Sequence, residues 1–189
     1  SLEAFDAVAS VCSDHLADLG TSEGPVDACS VELLAQLAHE AYRRHRTAGL
    51  GEDGPPPGDA SLVPWSRLDE ALKESNRAQV RDIPNKLEAV GCTAVPLGRW
   101  EDDDFEFTHD ELTSVLGPME HDRWWQERRM ARWKHGSRDP SARSSPYMVP
   151  WDDLSQEVRQ LDINAVAVVP RLLNAAGWRV VREEVPAQR

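Results

Sequence analysis

The residues best suited to chemistry gather in one stretch, Pro118 to His135, which reads PMEHDRWWQERRMARWKH. At helical spacing Trp124 and Arg128 fall one turn apart on one face, and Trp125, Arg129 and Trp133 form a second row at i, i+4 and i+8. A planar guanidinium beside an indole suits an anionic aromatic ligand such as a nucleotide, because the ring stacks while the fork grips phosphate. Core packing is the commoner reason for tryptophans at such spacing, with arginine stems lying over the indoles and heads in water. The gathering of fixed cations in an otherwise acidic chain narrows that margin.

Other familiar chemistries find little support. The six histidines, His15, His39, His45, His109, His121 and His135, lack the spacing and the Cys or carboxylate company of a zinc site. His39 and His45 fall on nearly opposite helix faces, and His39 and His121 read as structural, hydrogen-bonded groups. No G-x-S-x-G, no Cys beside a His, and no G-x-G-x-x-G or Walker loop occurs. The run Glu101-Asp102-Asp103-Asp104 reads as a solvated turn or hinge; a hydrolase using it with a divalent metal is a third reading. Cys12, Cys29 and Cys92 are too few and too scattered for a disulfide framework and read as reduced thiols. No catalytic residue, metal or cofactor is expected.

The composition sets outer bounds. In 189 residues, 33 acidic groups outnumber 21 basic ones, for a formal charge of −12. Phosphate backbones select basic surfaces, so a nucleic-acid partner is not expected. No run approaches the roughly 18 apolar residues of a membrane span, so direct membrane insertion is not expected either. The chain starts Ser1-Leu2-Glu3, without Met or a basic-then-apolar signal, and is read as a segment of a longer cytoplasmic protein. Seven Trp stand against two Tyr and three Phe, which makes the placement of the tryptophans informative.

The elements that must carry these residues are mainly helical. Leu2, Phe5, Val8, Cys12 and Leu16 predict an amphipathic helix stopping at Gly20, followed by a linker. Ser30 is expected to cap a helix with Leu34, Leu37, Ala38, Ala41 and Tyr42 on one face. Residues 47–61 form a Gly- and Pro-rich loop, and Pro64-Trp65-Ser66 starts a short helix. A further helix over Arg77–Val90, kinked or divided by Pro84, stops at Gly91. Thr108, with Glu111 three residues on, is expected to open the pattern again as a capping box.

Self-comparison then shows a repeat. Residues 62–92 align without a gap on residues 148–178: Val63-Pro64-Trp65 on Val149-Pro150-Trp151, Leu68 on Leu154, Pro84 on Pro170, Leu87 on Leu173 and Gly91 on Gly177. Upstream, His39-Glu40 aligns with His121-Asp122, Tyr42 with Trp124, and Arg46 with Arg128. A unit of this size hardly buries its apolar face alone, so two copies are expected to pack about a pseudo-twofold axis. Short extended pieces around Val63 and Val149, and after Gly91 and Gly177, are expected to pair as a small sheet. By symmetry Trp65 and Trp151 are either twin core plugs or walls of a cleft between the copies.

At these residues the chain resembles the ryanodine receptor repeat (RyR) family, as a tandem pair of the kind found in bacteria. The motifs are His39-Glu40-Ala41-Tyr42 with Arg46, Leu62-Val63-Pro64-Trp65 with Leu68, and Asn76 to Gly91; then His121-Asp122-Arg123-Trp124 with Arg128, Met148-Val149-Pro150-Trp151 with Leu154, and Asp162, Asn164 and Gly177. The resemblance implies an α+β, mainly α-helical fold of two pseudo-twofold-related repeats, with paired helices and short antiparallel strands. It divides the chain into an N-terminal helix and linker (1–29), repeat 1 (30–97), an acidic connector (98–116) and repeat 2 (117–189). It does not imply catalysis, and bacterial relatives are often fused to nucleotide-binding or effector domains.

The first copy departs from the second by having Asn76 where the second has Asp162, and an acidic loop where the second has the basic loop holding Arg138, Ser141, Arg143, Ser144 and Ser145. Together these readings predict a non-enzymatic ligand-sensing or regulatory module that holds a small anionic, nucleotide-like ligand between the repeats. The expected contacts are Tyr42, Arg46, Trp65, Trp124, Arg128 and Trp151. The alternative is a protein–protein docking module, with other domains of the full-length protein as partners and the loops 47–61 and 137–146 as contacts.

Overall fold

The computed structural model describes residues 28–48, 60–97 and 105–183. The helix expected over 2–19 and the acidic run at 101–104 lie outside those residues. Helix α1 spans Ala28–Thr47, so it starts before Ser30, which sits inside the first turn and does not cap it. Its buried face is Val31, Leu34, Ala35, Ala38 and His39, the three- and four-residue steps of an amphipathic helix.

After Pro64, whose φ of −56° sets up the turn, a 3₁₀ turn covers Trp65–Arg67. Helix α2 (Glu70–Arg81) follows, starting earlier than expected because Asp69 is its N-cap and accepts the Ala71 N–H. Pro84 lies in the first turn of a separate helix, α3 (Ile83–Ala89), where its missing N–H costs nothing. The predicted division at Pro84 is thus observed, with Asp82 between the helices. Gly91 takes φ +62°, which a β-carbon would strain, and turns the chain into strand β1 (Cys92–Pro96).

The second half runs through the same kinds of element. Thr108 and Glu111 form the expected capping box: the Thr108 N–H donates to Glu111 Oε2 at 2.7 Å and the Glu111 N–H to Thr108 Oγ1 at 3.2 Å. A π-helical turn, Glu111–Leu116, leads into α4 (Gly117–Met130). Two short strands, β2 (Lys134–His135) and β3 (Ser144–Ser145), pair in parallel. A 3₁₀ turn at Trp151–Asp153 precedes α5 (Gln156–Ala167), α6 (Val169–Ala175) and β4 (Trp178–Arg182). Gly177, at φ +81°, repeats the role of Gly91.

Val63 and Val149 are not in strands; each stands at a bend before a Pro, and its carbonyl goes to a histidine. The expected pairing after the two glycines does occur. Strands β1 and β4 are antiparallel, with Cys92 opposite Arg182 and Ala94 opposite Val180. Ala94 and Val180 also occupy the same place in the sequence repeat. The Leu97 N–H donates to the Gly177 carbonyl and the Glu183 N–H to the Gly91 carbonyl, both at 2.8 Å, so these bonds also interchange under the repeat. The fold is therefore α+β and mainly helical, with a few short strands. One hydrophobic core draws on both halves, from Leu34, Val80, Ile83 and Leu87 to Leu116, Val166, Val169 and Leu173.

Candidate binding face

The indoles and histidines are placed by the V-P-W segments. In the first half the His39 Nε2–H donates to the Val63 carbonyl at 2.8 Å, and its ring lies 5.8 Å from that of Trp65. In the second, the His121 Nε2–H donates to the Val149 carbonyl at 2.8 Å, and Trp151 lies 6.0 Å away. Both histidines are buried, and their hydrogen bonds dock the V-P-W backbone onto the long helix.

The halves then diverge. His121 Nδ1 lies 3.2 Å from Asp162 Oδ2, whereas Asn76, at the aligned position, donates to the Leu72 carbonyl of its own helix. Burial pulls the His121 imidazole down, but the hydrogen bonds to Asp162 and the Val149 carbonyl and the charge of Asp122 outweigh it, leaving the group above the usual histidine range. Burial likewise lifts the Asp162 carboxyl, against the opposing pull of His121. The pair holds a proton more firmly than either group does in water.

Trp124 stacks on the same imidazole at 5.8 Å, and the Trp125 ring lies 6.2 Å from it. Trp124 and Trp151 thus both lie against the His121 ring. Arg128 lies over Trp124 at 5.7 Å and over Trp133 at 4.8 Å; Arg129 lies over Trp125 at 5.9 Å. The expected row Trp125–Arg129–Trp133 is corrected by the helix end. Helix α4 stops at Met130 and Arg132 turns to φ +61°, which swings Trp133 back against Arg128. The Arg128 Nε is buried without a hydrogen-bond partner, and burial lowers the guanidinium's affinity for its proton.

The remaining expected contacts lie in the first half. Tyr42 Oη is 3.5 Å from Ser61 Oγ, and Arg46 is exposed in the last turn of α1. The Trp65 Nε1–H donates to Glu32 at 3.2 Å, and its ring carries Lys73 and Arg77, each 5.9 Å from the centroid. Trp151 carries Arg159 in the corresponding way at 5.5 Å.

Among the described residues, side chains from both halves pack against one another at a central contact. The contact lined by Ala38, Val80, Ile83, Lys86, Val166 and Val169 leaves a cavity of about 10 Å³, room for one water. Across it runs a charge network that sequence reasoning missed. Lys86 Nζ lies 2.7 Å from Asp82 and 3.0 Å from Glu120; Arg123 binds Glu120 at 2.7 Å and Glu127 at 2.9 Å; Ser75 donates to Glu127 at 2.9 Å. Lys86 and Glu120 are only 2% and 3% exposed, so each neutralises a charge that would otherwise be very costly to bury. A signal was available: the repeat aligns Lys86 with Leu172 and Glu120 with Ala38, a charge against an apolar side chain in both cases.

These features define a mainly helical fold with cations laid over the indoles of both halves, most densely along α4, and, among the described residues, no cluster of His, Cys, Asp or Glu arranged to hold a metal. Residues 105–182 match the family model described as RyR domain, the family whose motifs the sequence resembles. The match covers the second half of the repeat and less than half of the chain. No curated protein matches this sequence. No helix among the described residues is long and apolar enough to cross a membrane.

Proposed function

We propose that this chain is a non-enzymatic, RyR-type regulatory docking module of a larger cytoplasmic protein, its two sequence copies related by a pseudo-twofold axis and acting as one unit. The observation that carries this reading is the filled contact between the halves: a cavity of about 10 Å³ cannot admit a nucleotide. The self-paired Ala94 and Val180, and the Gln79 side chain donating at 3.4 Å to the carbonyl of its aligned residue Ala165, support the axis. The RyR match over 105–182 supports the module.

A second reading is favoured by the buried Arg128 Nε between two indoles, namely a small anionic ligand on the outer face of α4. Thermal melting with nucleotides and cyclic nucleotides at millimolar concentration separates the two. The docking reading predicts no shift. A shift abolished by Arg128→Ala in a variant that still folds would establish the ligand reading in its place.

A further inference from the structure

We infer that the surface running from the end of α4 through the β2–β3 segment is a docking site for an acidic linear peptide segment carrying an apolar residue. This inference rests on the docking reading above and names the partner's chemistry.

The first observation is charge. Between residues 128 and 143 the chain carries Arg128, Arg129, Arg132, Lys134, Arg138 and Arg143 against Asp139 alone, in a protein of net charge −12. Asp139 is the single countercharge in this stretch, its Oδ1 accepting from the N–H groups of Ser141 and Ala142 and from the Ser141 hydroxyl, and six cations against one carboxylate leave the stretch strongly positive. Arg129, Arg132, Lys134, Arg138 and Arg143 are all exposed. The aligned loop of the first copy, residues 47–61, contains no Lys or Arg and three acidic residues, so the fold does not itself require a basic loop there.

The second observation is that the segment is built, not trailing. Ser144 and Ser145 are buried, and the Ser144 hydroxyl donates to the Ser137 carbonyl at 2.6 Å. The Arg143 guanidinium caps the Ala131 carbonyl beyond the end of α4 at 3.0 Å. Arg132 and Arg143 hold φ of +61° and +50°, the described non-glycine residues in the left-handed region. Such backbone is sparsely populated by residues with a β-carbon and persists where its surroundings fix it.

The third observation is Met130, 83% exposed at the rim of this cationic surface and the one large hydrophobic side chain so exposed among the described residues. A flexible thioether ringed by cations fits an acidic segment with an apolar side chain. Stacked bases fit less well, because Arg128 and Arg129 already lie over Trp124, Trp133 and Trp125. The acidic remainder of the chain also repels a long phosphate backbone.

The test is fluorescence anisotropy of the whole chain with a labelled Glu/Asp-rich peptide of about eight residues containing one Leu, at about 50 mM salt, beside a single-stranded oligonucleotide of equal charge. Saturable peptide binding is expected, weakened at least about tenfold by the exposed triple reversal Arg129→Glu/Arg132→Glu/Lys134→Glu and left unchanged by Arg44→Glu/Arg67→Glu in the first half. Replacing the peptide's Leu by Ser is expected to weaken it further. Absence of peptide binding, equal loss with both sets of reversals, or tighter binding of the oligonucleotide would overturn the inference. Those outcomes leave the docking reading itself standing; a nucleotide-induced thermal shift is what removes it.

Discussion

The two halves of this chain share a backbone plan and differ in what they bury. Both have a long helix whose histidine holds a V-P-W carbonyl, a Trp-led 3₁₀ turn, a helix broken at a Pro, and a left-handed Gly before a strand. Against that plan, Ala35 stands where Gly117 is, Ala38 where Glu120 is, Asn76 where Asp162 is, and Leu172 where Lys86 is. The positions they share set backbone conformation, and the positions that differ set which charges are buried and where. The halves thus share an order of elements and differ in electrostatics, and the surplus of fixed cations and indoles falls in the second half.

The largest effect should come from breaking the pair that joins the halves. Lys86→Leu leaves Glu120 buried with Arg123 as its remaining cation, and should cost about 3 kcal/mol in urea unfolding. Adding Glu120→Ala makes both positions match their counterparts in the other copy and should restore at least half of that loss. An equal or greater loss in the double variant would mean that the network is needed for more than neutralisation.

Next in size is Gly117, where a β-carbon would stand 2.8 Å from the Trp151 ring and 2.8 Å from the Leu112 carbonyl. Gly117→Ala should therefore destabilise by about 1–3 kcal/mol, although alanine is the better helix former. The converse change in the first half, Ala35→Gly, should cost about 1 kcal/mol through helix propensity. Equal tolerance of both changes would show that Trp151 packs no closer than Trp65.

The smaller effect is on pH. His121 sits above its unfolded pKa because of Asp162 and the Val149 carbonyl, so folding takes up a proton. Its contribution is fully present below about pH 6.5 and is lost as the pH rises through the higher folded value. Asp162→Asn, which copies Asn76, should flatten the decline in stability as the pH rises above about 6.5; NMR titration of the His121 ring should report a lower pKa in that variant. An unchanged titration would remove Asp162 as the cause.

Much of the plan was legible in the residues themselves. V-P-W, Pro84, Pro170 and the two glycines specify backbone geometry locally, and the capping box at Thr108 needs only its own four residues. The start of α2 is less legible, because its cap Asp69 lies upstream of the apolar pattern leading to Gly91, and so is the end of α4, because Arg132 adopts a conformation unusual for arginine. The pairing of Trp133 with Arg128 follows from that turn and not from helical spacing. The Lys86–Glu120 bond was not legible at all as a contact, since it depends on how the two units are laid together. The repeat alignment does mark both residues as charged intrusions into an apolar register.

The family match covers only 105–182, so the central question is whether residues 28–97 are an integral half of the unit. Native-state amide hydrogen exchange tests this directly, comparing α2 and β1 with α5 and β4. One shared core and the β1–β4 ladder predict that the slowest amides of both halves exchange with the same opening free energy, the signature of one cooperative unit. Exchange of the first half at an opening energy lower by more than about 2 kcal/mol, with the second half still protected, would contradict it.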